Sequence, residues 1–307
     1  MSYLRVVSGS CFALGTAALV VLVGCMASCR SSNSNSAGAA APVVGSIEML
    51  RIPSLDRISR GDPEATLNRQ ESGWRITNKR QWTYAASVPL FSIRGLNWKG
   101  NVQVHCQIAT GNVQFGLLNN KNQFVAIKTI DGGTGPQEVS LPISSSDDVT
   151  QLIVRSAAPM GDVSDALVES VDLIVPATKL IDVANLENIV PSYAYATVEK
   201  GPPARVVTTA QQYSYAARVP LSWAKTGAGF ALVQIRAQAR SGQVGFGVLD
   251  RSGNFQAIES ATPSPKAMDF FVPVSAPGKA GDLIVRNEAK NAASEVVIDN
   301  VTIWILR

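Results

Sequence analysis

Histidine occurs once in the sequence, at His105. A Ser-His-Asp or Cys-His catalytic arrangement would have to use it. It sits on the polar side of an alternating segment, and its counterpart in a second copy of that segment is Arg236, which points to a surface residue rather than a base. A zinc site built from clustered His and Cys is excluded by count. Cysteine is nearly as scarce: Cys11, Cys25 and Cys29 lie near the N-terminus, and Cys106 alone falls in the body of the chain. No disulfide within a domain is available, so the fold must be held by its core. Charged residues make up only 16%, below the usual quarter. The 27 Lys and Arg against 23 Asp and Glu are scattered without runs, which leaves no basic stripe for nucleic acid. Gly132-Gly133-Thr134-Gly135 precedes no helix and reads as a surface turn, not a phosphate cradle. Asp147-Asp148, Asp162 and Asp165 sit among turn residues, with no matching cluster elsewhere to suggest the paired carboxylates of glycoside hydrolysis. The sequence offers no active site and predicts a protein that is not an enzyme.

What the chain does have is a copy of itself. Tyr84-Ala85-Ala86-Ser87-Val88-Pro89-Leu90 returns 131 residues later as Tyr215-Ala216-Ala217-Arg218-Val219-Pro220-Leu221. At the same offset Gly111, Val113, Phe115, Gly116 and Leu118 match Gly242, Val244, Phe246, Gly247 and Leu249. Phe124, Ala126 and Ile127 match Phe255, Ala257 and Ile258, and Leu152-Ile153-Val154-Arg155 matches Leu283-Ile284-Val285-Arg286. A unit of this length is a whole domain, longer than solenoid repeats of roughly 20–50 residues.

Alternation dominates each copy. In Val102-Gln103-Val104-His105-Cys106-Gln107-Ile108, and in Val233-Gln234-Ile235-Arg236-Ala237-Gln238-Ala239, every second residue is apolar. That is a half-buried antiparallel strand, and a position occupied by Cys106 in one copy and Ala237 in the other is a small core site. Gly111 and Gly242 mark hairpin turns. Helical periodicity is nearly absent, with one short turn expected near Leu55–Ile58 and again near Leu186–Ile189. The fold class predicted is all-β: two tandem antiparallel β-sandwiches of jelly-roll type, residues 43–176 and 177–307, divided near Val175-Pro176-Ala177. Each half carries its own strand set and is expected to fold alone.

The N-terminus reads as a targeting segment. Arg5 is the only charge in the first 29 residues, and the apolar stretch Cys11–Gly24 is too short for a membrane span but suits a secretory leader. Leu22-Val23-Gly24-Cys25 resembles the bacterial lipobox, in which the cysteine receives lipid. The resemblance implies a signal peptide over residues 1–24, lipidation of Cys25 and membrane anchoring, with the outer membrane favoured by Met26 rather than Asp after the cysteine. Met26-Ala27-Ser28-Cys29 is a weaker second match. Residues 25–42, rich in Ser, Asn, Ala and Gly, read as a flexible tether.

The mid-domain Gly242-Gln243-Val244-Gly245-Phe246-Gly247-Val248-Leu249-Asp250 and the closing Val297-Ile298-Asp299-Asn300-Val301-Thr302-Ile303 resemble the jelly-roll carbohydrate-binding modules with a galactose-binding-like fold. That resemblance implies glycan binding. It also implies a structural calcium, held by Asp299 with Glu187 in the second copy and by Glu169 with Asp56 in the first.

Candidate ligand contacts come from the residues themselves. Gln103, His105 and Gln107 share one side of their strand, as do Gln234, Arg236 and Gln238, and Arg155 and Arg286 end another strand in both copies. Amides and guanidinium groups on a rigid sheet suit sugar hydroxyls. Trp82 with Tyr84, and Tyr213 with Tyr215, alternate onto one face where a ring can stack on a pyranose. Ordinary solvation of a sheet and ordinary core packing produce the same two patterns, and duplication copies core and site alike. The reading that follows is a lipid-anchored protein of the bacterial cell envelope that binds a polysaccharide or glycoconjugate. The alternative is a scaffold subunit that binds an envelope protein through the same sheets.

Overall fold

The computed structural model describes residues 43–90, 99–133, 135–144, 148–181, 184–192, 194–223 and 229–306. The expected leader, the Cys25 lipidation site and the tether lie outside the described residues. Among the described residues no helix is long and apolar enough to cross a membrane.

The first copy runs through β1 (Val43–Pro53), β2 (Ser59–Arg60), β3 (Thr66–Gln70), β4 (Gly73–Asn78), β5 (Tyr84–Pro89), β6 (Gly100–Thr110), β7 (Asn112–Asn119), β8 (Phe124–Asp131), β9 (Pro136–Ile143), β10 (Val149–Ser156) and β11 (Ser164–Ile181). The second repeats that order in β12 (Val190–Pro191), β13 (Thr197–Glu199), β14 (Ala204–Val207), β15 (Tyr215–Val219), β16 (Ala231–Ser241), β17 (Val244–Asp250), β18 (Phe255–Ala261), β19 (Met268–Val274), β20 (Ala280–Asn287) and β21 (Glu295–Leu306). Among the described residues, helix is confined to three-residue turns, two of them Leu55–Arg57 and Leu186–Asn188, where short turns are expected from the sequence.

The fold is all-β, with two antiparallel sandwiches in tandem. Two five-stranded sheets, β2-β5-β10-β7-β8 and β12-β15-β20-β17-β18, pack on one large sheet of eleven strands. Alternation makes the layers: Val102, Val104, Cys106 and Ile108 of β6 turn into the first core, and Val233, Ile235 and Ala237 of β16 into the second. Burial pushes the Cys106 thiol up to about 11, so it stays protonated and inert near neutral pH.

The junction is a strand rather than a linker. The expected boundary at Val175-Pro176-Ala177 falls inside β11. Along one edge β11 pairs first with β6, as far as Ile174, and then with β21 from Ala177 onward. Pro176, which has no N–H to donate, stands where that neighbour changes. Along the other edge β1 pairs with β11 from Asp172 to Ile181.

Two cores therefore lie on opposite faces of the shared sheet. Ile303 and Ile305 of β21 join the second core, while Trp304 and Leu306 join the first. Leu232 and Phe271 likewise belong to the first core, with Leu50, Ile52 and Val175.

Candidate functional site

On the outer face of each five-stranded sheet, residues from three strands and one turn build a platform. In the first copy the Arg155 guanidinium lies 5.0 Å from the ring centre of Trp82 and 4.8 Å from that of Phe124. Tyr84 meets Phe124 edge-on at 6.1 Å. In the second copy Arg286 lies 5.1 Å from both Tyr213 and Phe255, and Tyr215 meets Phe255 edge-on at 5.6 Å. The rings remain open to solvent: Trp82 is 51% exposed and Tyr213 57%.

Local sequence explains how this face is built. Gly116 and Gly247 form its floor, because a Cβ there would stand 2.4 Å from the Phe124 ring and 2.5 Å from the Phe255 ring. Register irregularities beside Arg155 and Tyr215 re-aim these side chains. Trp82 and Tyr213 are held at φ 61° and 65°, a left-handed conformation that bulky residues rarely adopt. Each is pinned by its backbone N–H, which donates to Ser156 O at 2.9 Å or to Asn287 O at 2.7 Å. Strain of about 1–3 kcal/mol per residue, kept in both copies, presents a ring to water instead of burying it.

The platforms differ in how the guanidinium is held. Arg155 Nε donates to Gln114 Oε1 at 2.5 Å, and the Gln114 amide donates to Thr129 at 3.0 Å. Arg286 instead donates to Glu288 Oε1 from Nε at 3.1 Å and from Nη2 at 2.7 Å, and Glu288 also accepts from Ser260.

The outward strand rows lie elsewhere, on the large sheet. Gln103 donates to Glu138 at 2.8 Å and accepts from Arg51 at 3.2 Å; His105 is 3.8 Å from Glu138, and Gln107 is exposed. Gln234 accepts from Trp304 Nε1 at 2.7 Å, Arg236 pairs with Asp269 at 3.3 Å, and Gln238 donates to Ser264 O at 3.0 Å. Arg236 and Asp269 also line a cleft of ≈ 440 Å³ between the copies, beside Arg57 and Glu259, which pair at 3.0 Å. Burial holds the Glu259 carboxyl above its usual range, against the pull of Arg57. The structure thus brings together Trp82, Tyr84 and Arg155, and likewise Tyr213, Tyr215 and Arg286. It leaves the six row residues on a different sheet, where five of them already have partners.

The residues named for calcium lie in two places. Asp56 and Glu169 border the same hollow, and Arg69 pairs with Asp56 at 3.3 Å. Glu187 and Asp299 are both exposed. Among the described residues no three His, Cys, Asp or Glu side chains gather in one place.

Sequence reasoning missed Phe124, Phe255, Gln114 and Glu288. The two phenylalanines and the glycines beneath them recur at the same offset as the arginines, so the signal was present. Glu288 was hidden because Ala157 stands at its place in the first copy.

No protein-family model matches the sequence, and no curated protein matches it either. Among solved structures the chain is similar to the N-terminal CBM22-1–CBM22-2 tandem domain of Xyn10C from Paenibacillus barcinonensis, with 9% identity over 87% of this chain and 98% of that one and a TM-score of 0.30. It is also similar to the tandem CBM51 modules of Sp3GH98, the family 98 glycoside hydrolase of Streptococcus pneumoniae SP3-BS71, with 9% identity over 85% of this chain and 100% of that one and a TM-score of 0.27.

Proposed function

We propose that this chain is a non-catalytic glycan-binding protein of the bacterial cell envelope, tethered to the outer membrane through lipid on Cys25, that holds a polysaccharide or glycoconjugate on its two platforms. The observation that carries the reading is the twin assembly of exposed rings around a guanidinium, each with one ring on a strained left-handed backbone. A ring offers a flat apolar face with a negative quadrupole to the C–H face of a sugar, and a guanidinium beside it offers hydrogen-bond donors to hydroxyls. Two such faces on one chain gain avidity toward a polymer that spans them.

A second reading, a scaffold for an envelope protein, draws on β1. Among the described strands it pairs only with β11, and it exposes Ile47 and Met49, as a strand open to pairing with another chain would. A glycan array probed with residues 43–307 separates the two. The proposal expects a related set of oligosaccharides to be retained. An array with no retained glycan would favour the scaffold.

A further inference from the structure

We propose that the first platform recognises an anionic sugar, carboxylated or sulfated, whereas the second takes a neutral one; this rests on the glycan-binding reading above. The two arginines sit in the same stack of rings but differ in charge balance. Arg286 is neutralised by Glu288, and both side chains are well buried, at 17% and 9% exposure. Arg155 has only the neutral amide of Gln114 on its Nε. No carboxylate among the described residues pairs with it, and its two terminal nitrogens have no hydrogen-bond partner there.

Two positions that differ between the copies account for this. Glu288 takes the place of Ala157, and Gly245 takes the place of Gln114. The second change makes room for the first, since a Cβ on Gly245 would stand 2.5 Å from Glu288 Oε1. The Glu288 carboxylate marks where an anion meets this kind of guanidinium. In the first copy the Gln114 amide fills only the Nε side of that place, and the two terminal nitrogens left over form a planar fork that matches the oxygens of a carboxylate or sulfate.

The test measures affinity and stoichiometry by titration calorimetry on residues 43–307. Three probes of equal length are used: a hexuronate oligomer, a sulfated hexose oligomer and a neutral hexose oligomer. The wild type is expected to bind one of the charged probes at one site, weakening as salt is raised, and the charged probe retained tells carboxylate from sulfate. Rebuilding the second platform's arrangement in the first, with Gln114→Gly and Ala157→Glu, is expected to cut that affinity by about tenfold or more, the size of a charge-assisted hydrogen bond. The conservative Glu288→Gln is expected to add a second site for the charged probe. If only the neutral probe binds the wild type, or if both variants match it toward the charged probe, the anionic assignment is overturned and glycan binding stands. If no probe binds any form, both fall.

Discussion

Cutting the chain between Pro176 and Ala177 is expected to yield two halves that do not stand alone. The cut severs β11 and separates Leu232, Phe271, Trp304 and Leu306 of the second half from Leu50, Ile52 and Val175 of the first, with which they share a core. Burying a large apolar side chain contributes about 1.5–3 kcal/mol. Four of them amount to roughly 6–12 kcal/mol, an upper figure set by the extended-chain reference. That equals the whole stability of an ordinary domain, about 5–15 kcal/mol. Residues 43–176 and 177–307 made separately should aggregate or unfold at low temperature, and made together they should co-purify as a complex. Each half running as a monomer, and melting near the temperature of the intact chain, would show that the shared sheet contributes little.

The second large effect concerns binding. Replacing Trp82 and Tyr213 by glycine removes the exposed ring from each platform. Buried aromatic anchors at a binding surface commonly account for about 2 kcal/mol or more each, so each site should lose roughly thirtyfold in affinity. Glycine is chosen because both positions are left-handed, a conformation it adopts without steric cost. Loss of the guanidinium contact costs about 0.5–1 kcal/mol and the added freedom of an unfolded glycine a similar amount, against about 1–3 kcal/mol returned by relief of backbone strain. The melting temperature should therefore move little. A large drop in melting temperature with unchanged glycan affinity would make the rings props of the fold.

Much of the architecture was legible because alternation and duplication act on every strand. Val102 to Ile108 can bury one side only by forming a half-exposed strand, and its copy at Val233 to Ala239 does the same. The join was not legible. The division expected near Val175-Pro176-Ala177 falls within β11, at the point where that strand exchanges β6 for β21. Nor does sequence show that Trp304 and Ile303, adjacent in one strand, face different cores, since both are simply apolar.

The candidate site was half legible. Trp82, Tyr84 and Arg155 stood out by recurrence with Tyr213, Tyr215 and Arg286. Which sheet face they share depends on a local irregularity and a left-handed turn that periodicity does not encode. Phe124 reaches its place from β8 across the floor made by Gly116, a contact set by tertiary packing alone. The outward rows around His105 and Arg236 followed the same alternation but meet Glu138 and Asp269 instead of one another, and that pairing comes from the neighbouring strands.

The central claim is that glycan rests on the two platforms, and hydroxyl-radical footprinting of residues 43–307 with a retained oligosaccharide tests it most directly. Bound glycan is predicted to shield Trp82, Tyr84, Tyr213 and Tyr215 from oxidation, while Met268 in the cleft between the copies reacts as before. Shielding of Met268, with the four aromatic residues left as reactive as in the free protein, would contradict the account.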